Sequence, residues 1–215
     1  MNLLKIRPKN NSLYYIELDE QIRGTLNFRA LRKLHLKKEL EIEIEPDFAD
    51  SIEKEILSLA WHRLLNWLSY HEKSIAQSRK YLLFLHLAEN LAETLIDKAV
   101  KLNYINNERF ARLLIESLID KNKSWAEIKS KLYEYQIPSE MTSTLLQELY
   151  DQDVQSKVLN DLVDHLCHRW NFEDIKKKEK KVCEYLARRG FDYYEAKNTF
   201  YRINNATENY DQYSD

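Results

Sequence analysis

The residues best placed to do chemistry are cations. Lys176, Lys177, Lys178, Lys180 and Lys181 with Arg188 and Arg189 make seven basic residues against Glu179 and Glu184, a local charge of +5 in a chain whose formal net charge is −2. Such a stripe could contact phosphates or an acidic groove, each phosphate neutralised steepening the salt dependence of binding. It could equally be the solvated face of a helix with Ile175, Val182 and Leu186 beneath it. Aromatic residues beside such cations could stack bases, and the chain has 14 Tyr and 4 Trp. Trp61, Trp67 and Trp125 fall at helical spacing and read as core, because large rings at that spacing bury their area. Tyr193 and Tyr194, just past Gly190-Phe191, are the pair to test for exposure. His165-x-Cys167-His168 with Cys183 is the one cluster with metal-ligand chemistry. On a helix His165 and His168 share a face while Cys167 points elsewhere, and no C-x-x-C supports a zinc site, so the cysteines read as core. Asp151 and Asp153 could hold Mg²⁺ but read as helix-start residues. No nucleophile stands at usable spacing from a base, so the sequence nominates no catalytic residue, no cofactor and no metal ligand.

Composition narrows the function further. With only Gly24 and Gly190 present, no dinucleotide-binding turn, phosphate-binding P-loop or nucleophile elbow can be written. A net charge of −2 provides no global field to recruit nucleic acid or membrane. The start MNLLKIRPKNN has no apolar leader, and no apolar run approaches the ~20 residues of a membrane span. Two cysteines in 215 residues fit a reducing compartment. The expectation is a cytoplasmic protein without membrane contact; the sequence leaves the oligomeric state open and favours a monomer.

The elements that must position these residues change character near Pro46. Before it, Leu3–Arg7, Tyr14–Leu18 and Leu40–Ile44 read as strands, the last by strict apolar–acidic alternation. Asn10-Asn11-Ser12 and Arg23-Gly24 read as turns, with a short helix from Asn27 to Leu34. After it the period becomes 3.6, with Asp50-x-x-Glu53 read as a helix start and three apolar stripes. These are Leu57, Ala60, Trp61, Leu64, Leu65, Leu68; Phe110, Leu113, Leu114, Leu118; and Val154, Val158, Leu159, Leu162, Leu166. An offset of fifty residues sets the capping box Ser74-x-x-Gln77 on Ser124-x-x-Glu127, Leu82 on Leu132 and Leu87 on Ile137. An offset of fifty-four then sets Leu186 on Leu132 and Phe191 on Ile137, with Asp192-x-x-Glu195 opening the last helix.

The predicted fold is mainly α: three tandem three-helix repeats in an elongated curved array, preceded by a small β-rich N-terminal module. Each repeat has a longer helix, a second one, and a short third. The predicted boundaries are 1–46 for the β-rich module, 47–106, 107–151 and 152–203 for the repeats, and 204–215 for a flexible acidic tail. Gly190 falls where a helix must end in a left-handed residue.

Several strings carry a family resemblance. Asn103-Tyr-Ile-Asn-Asn-Glu-Arg-Phe110-Ala111 resembles the "GY(I/L)DD-x-RFA" segment of RecX regulatory proteins, and Tyr185-Leu-Ala-Arg-Arg-Gly-Phe191 resembles their "L-x-x-RGF" signature. The Ser74 and Ser124 caps followed by Leu82 and Leu132 are similar to their "S-x-x-EL-x-x-KL" pattern. The likeness spans residues 60 to 203. Asn103 stands where the family usually has Gly, Asn106 and Asn107 replace an Asp pair, and His71 replaces an Arg. The resemblance implies a non-enzymatic protein that binds RecA and the RecA–single-stranded-DNA filament, suppressing ATP hydrolysis, strand exchange and co-protease activity. That places it in recombination, DNA repair and the SOS response. Weak direct DNA binding would accompany that role. Two other classes are a RecA-independent helical nucleic-acid-binding module, whose DNA affinity would fall steeply with salt, and a metal-dependent enzyme.

Overall fold

The computed structural model describes residues 1–170 and 174–211, with side chains described as far as residue 205. Four strands, β1 (Asn2–Pro8), β2 (Leu13–Leu18), β3 (Gln21–Asn27) and β4 (Leu40–Ile44), form an antiparallel sheet in the order β3-β2-β1-β4. Helix α1 (Phe28–Lys33) lies between β3 and β4, with the Asn27 side chain accepting from the Ala30 N–H at 2.8 Å. The long helices follow as α2 (Pro46–Leu68), α3 (Ile75–Phe84), α4 (Glu89–Lys101), α5 (Asn107–Ile119), α6 (Trp125–Glu134), α7 (Ser139–Leu149), α8 (Gln152–Arg169), α9 (Ile175–Arg188) and α10 (Tyr193–Asp211). The protein is mostly helical, as its period predicts.

The chain divides into two compact units, Met1–Asn107 and Glu108–Asp215. In the first, one continuous core runs from Leu4, Ile6 and Ile16 in the sheet through Ile52, Ile56 and Leu64 of α2 to Leu82, Leu95 and Ile105. In the second, Phe110, Ile115, Leu132 and Leu146 form one cluster, and Val158, Leu162, Val182, Leu186 and Phe200 form another.

Several details differ from the sequence reading. The turn assigned to Arg23-Gly24 lies instead at Asp19-Glu20, both left-handed at φ 50° and 64°, which is the backbone a tight hairpin needs. Asp19 tolerates it because its carboxylate accepts from the Leu3 N–H and the Asn2 amide at 2.8 and 2.7 Å. Gly24 sits inside β3, where a β-carbon would fall 2.4 Å from Ile56 Cγ2, so glycine there lets α2 approach the sheet. Helix α2 starts at Pro46 rather than Asp50, proline taking the first position where its missing N–H costs nothing.

The apolar stripes are also rotated. Helix α2 buries Ile52, Ile56, Ala60 and Leu64 and leaves Leu57, Trp61, Leu65 and Leu68 half-buried, because it contacts the sheet as well as α3 and α4. Helix α5 buries Phe110, Ala111 and Ile115, leaving Leu113 exposed. The third helix of the last repeat is not short. It runs 19 residues, so the described part of the segment 204–215 is helical, with no glycine or proline there to stop it.

The repeat is written in hydrogen bonds. Each second helix ends with the same pair of main-chain bonds around a left-handed residue, the Schellman arrangement. In α3 the N–H groups of His86 and Leu87 donate to Leu83 and Leu82; in α6 those of Gln136 and Ile137 donate to Tyr133 and Leu132; in α9 those of Gly190 and Phe191 donate to Ala187 and Leu186. The left-handed residues are His86 (φ 61°), Gln136 (φ 55°) and Gly190 (φ 92°). Both predicted capping boxes are formed, Ser74 with Gln77 and Ser124 with Glu127. Asn103 has φ 57° and ends α4 in the same way, which explains why a glycine would serve there and why asparagine suffices.

Candidate functional site

Helix α9 starts on Asp174, whose carboxylate accepts from the N–H groups of Lys176 and Lys177 at 2.9 and 3.3 Å. Its inner face buries Val182, Cys183 and Leu186. On the outer face Lys176, Lys177, Lys180, Lys181 and Arg188 are all exposed, and Lys178 is half-buried. Their pairings are loose: Lys177 lies 3.9 Å from Asp174 and Lys180 3.9 Å from Glu184, both exposed, so water screens them strongly. Lys181 places its ammonium 4.7 Å from the ring centre of Trp170.

Glu179, at the middle of the basic run, is absent from that face. It is buried, accepts from the Tyr201 hydroxyl at 2.6 Å and pairs with Lys197 at 3.0 Å. The Tyr201 hydroxyl and then Lys197 hold its carboxyl below the usual range. Its charge is thus met from α10 and does little to dilute the lysines.

Arg189 is the one basic candidate that the structure removes from the stripe. Its guanidinium donates to Glu127 at 2.8 and 3.1 Å and to the Asn122 carbonyl at 2.7 Å, and only 16% of the side chain is exposed. The Ser124 hydroxyl donates to the Arg189 carbonyl, so the N-terminus of α6 is tied to the C-terminus of α9. Burial opposes ionisation of Glu127, but the bonds from Arg189, the Ser124 N–H and Lys123 outweigh it and keep the carboxyl low. Tyr150 braces the same junction, donating to the Lys123 carbonyl at 3.1 Å, and burial pushes its phenol up to about 12.

The aromatic candidates divide as their spacing suggests. Trp67 stacks on Tyr81 at 4.5 Å, Trp125 meets Tyr150 edge-on at 5.9 Å, and Trp61 lies tilted against Tyr104 at 6.0 Å. Tyr194 is 75% exposed and Tyr193 37%, their rings edge-to-face at 6.0 Å at the start of α10. Phe110 packs edge-on against Tyr135 at 5.2 Å, and Phe191 is buried below the Gly190 turn. Ser74 is buried in its capping box, next to Ile75, whose N–H donates to the Asn107 side chain at 2.9 Å.

The His–Cys cluster splits by face: His165 and His168 are exposed, Cys167 is half-buried and Cys183 buried. Burial raises both thiols, Cys183 to about 11, which suits inert core cysteines rather than nucleophiles. Among the described residues no group of three or more His, Cys, Asp or Glu could hold a metal ion. Asp151 caps α8, accepting from the Val154 N–H at 2.9 Å. Among the described residues no helix is long and apolar enough to cross a membrane.

No family model matches the chain. Individual proteins do. The chain is 27% identical over 208 residues to the regulatory protein RecX of Clostridioides difficile, an alignment covering 96% of this chain and 95% of that one. It is 24% identical over 188 residues to the regulatory protein RecX of Lactobacillus gasseri, covering 86% of this chain and 68% of the other. A crystal structure of regulatory protein RecX superposes with a TM-score of 0.63 at 21% identity, over 91% of this chain and 97% of that one. RecX from Lactobacillus salivarius gives 0.62 at 22% identity, over 69% and 96%. The chain is thus similar in sequence to regulatory proteins RecX, in one case over nearly the whole length of both chains, and it shares the fold of the solved RecX structures.

Proposed function

We propose that this protein binds RecA and the RecA filament on single-stranded DNA and restrains its ATPase, strand-exchange and co-protease activities. The observation that carries the reading is the near end-to-end likeness to a regulatory protein RecX, 96% of one chain against 95% of the other. The protein acts by occupying a surface rather than by making or breaking bonds, and works in the cytoplasm as a monomer. Its three repeats, 47–106, 107–151 and 152–203, serve as successive contact units, the module 1–46 as a cap on the first. The outer face of α9, with Lys176, Lys177, Lys178, Lys180, Lys181 and Arg188, and the exposed Tyr193 and Tyr194, is the proposed contact surface of the third repeat. Arg189 supports that surface from behind through Glu127.

The test is co-sedimentation with filaments of the cognate RecA on single-stranded DNA. Saturable binding beyond that to bare DNA is the expected result. Equal binding to bare DNA and to filament, with a steep salt dependence, would point instead to the RecA-independent nucleic-acid-binding reading, which the exposed lysines and Tyr194 favour.

A further inference from the structure

Within the unit Glu108–Asp215, a cleft of about 570 Å³ opens between α6 and the end of α9. Ala126, Ala187 and Gly190 line it without bulk, so a ligand can come close to the backbone. Lys123, Lys131, Arg188 and Arg189 line it with charge, against Glu127 alone. Glu127 is shared by Arg189 and Lys123, leaving one positive charge in surplus there. Lys131 is matched by Glu134 at 2.5 Å, while Arg188 is exposed and adds a second surplus charge. Ser130, exposed on α6 between these cations, contributes a hydroxyl.

A helix C-terminus would ordinarily repel an anion. Here three carbonyls at this end are occupied: Leu186 by the Phe191 N–H, Ala187 by the Gly190 N–H, and Arg189 by the Ser124 hydroxyl. The junction is also rigid, since Arg189 is held by Glu127 and Asn122. A fixed wall, a small-residue floor and two surplus cations suit a doubly charged tetrahedral anion, which a guanidinium fork and an ammonium recognise well.

We propose that this cleft binds a phosphate-bearing ligand, its oxygens met by Arg188, Lys123 and Lys131 and the Ser130 hydroxyl. The site does not depend on the RecA reading. The phosphate could be that of a free polyphosphate or of a nucleic-acid strand, and the measurement separates the two.

The full chain is titrated calorimetrically with inorganic triphosphate and, separately, with a single-stranded oligothymidylate, as wild type, Arg188→Ala, Lys131→Ala and Lys37→Ala. Arg188 and Lys37 are exposed, so neither change threatens the fold. Binding of either probe that Arg188→Ala weakens by about tenfold, with Lys37→Ala without effect, supports the cleft. Triphosphate binding that the oligonucleotide does not displace assigns the free anion; oligonucleotide binding that triphosphate displaces, or that occurs without triphosphate binding, assigns the strand. No binding of either probe, or binding that Arg188→Ala and Lys131→Ala leave within twofold, overturns the proposal.

Discussion

A β-carbon on Gly190 would fall 2.6 Å from the β-carbon of Ala126, so the chain turn that ends α9 closes directly onto α6. The backbone there also has φ 92°, outside the region L-residues adopt readily. Gly190→Ala therefore meets two costs, strain and overlap, and is expected to destabilise by about 2 kcal/mol or more. Adding Ala126→Gly should recover the overlap and leave the strain. A urea-unfolding double-mutant cycle checks this, and additive effects would contradict the contact.

Gln136 occupies the same left-handed position at the end of α6 with φ 55° and is exposed. Gln136→Gly is expected to stabilise by about 0.5–1 kcal/mol, the relief of left-handed strain exceeding the entropy of glycine. Thermal unfolding of the variant reads the sign directly; a lower midpoint would contradict it.

These positions also show what a sequence discloses and what it hides. The spacing of Leu82, Leu132 and Leu186 and of Leu87, Ile137 and Phe191 was legible because those residues make the bonds and apolar flanks of three equivalent helix ends. The left-handed turns at His86 and Gln136 were not, since neither is the glycine that marks such a turn in sequence. Asp19-Glu20 hid the β2–β3 hairpin for the same reason, while Gly24 suggested a turn and proved to be a place of close packing. The basic face of α9 was legible from charge alone. The withdrawal of Arg189 was not, because its partner Glu127 lies 62 residues away and no local pattern couples them.

The Arg189–Glu127 tie should make stability depend on pH. Glu127 titrates below its ordinary value of 4.5 in the folded protein, burial being outweighed by the bonds it accepts. A depressed carboxylate contributes stability above its unfolded value, lost as pH falls through the folded one. Arg189→Met is expected to cost about 1–3 kcal/mol at pH 7, since it leaves Glu127 and the Asn122 carbonyl short of a partner. The gap between wild type and variant should narrow below about pH 4.5. Urea midpoints at pH 7 and pH 3.5 or so test it; a gap independent of pH would contradict the tie.

Lys176 and Lys180 are exposed on the outer face of α9, and reversing their charge touches no core contact. Lys176→Glu with Lys180→Glu should leave stability within about 0.5 kcal/mol per site. If the face meets phosphates in the filament, affinity falls and the salt slope flattens by about one for each lysine lost. Co-sedimentation across a salt series measures both, and an unchanged slope with unchanged affinity would remove α9 from the contact surface.

The central claim is that this chain restrains RecA. Its most direct test is the single-stranded-DNA-dependent ATPase of the cognate RecA, with the protein titrated from well below to above the RecA concentration. The account predicts inhibition at substoichiometric ratios, as expected for a protein that acts on filament growth or disassembly. An ATPase rate unchanged at every ratio, with the protein folded, would contradict it.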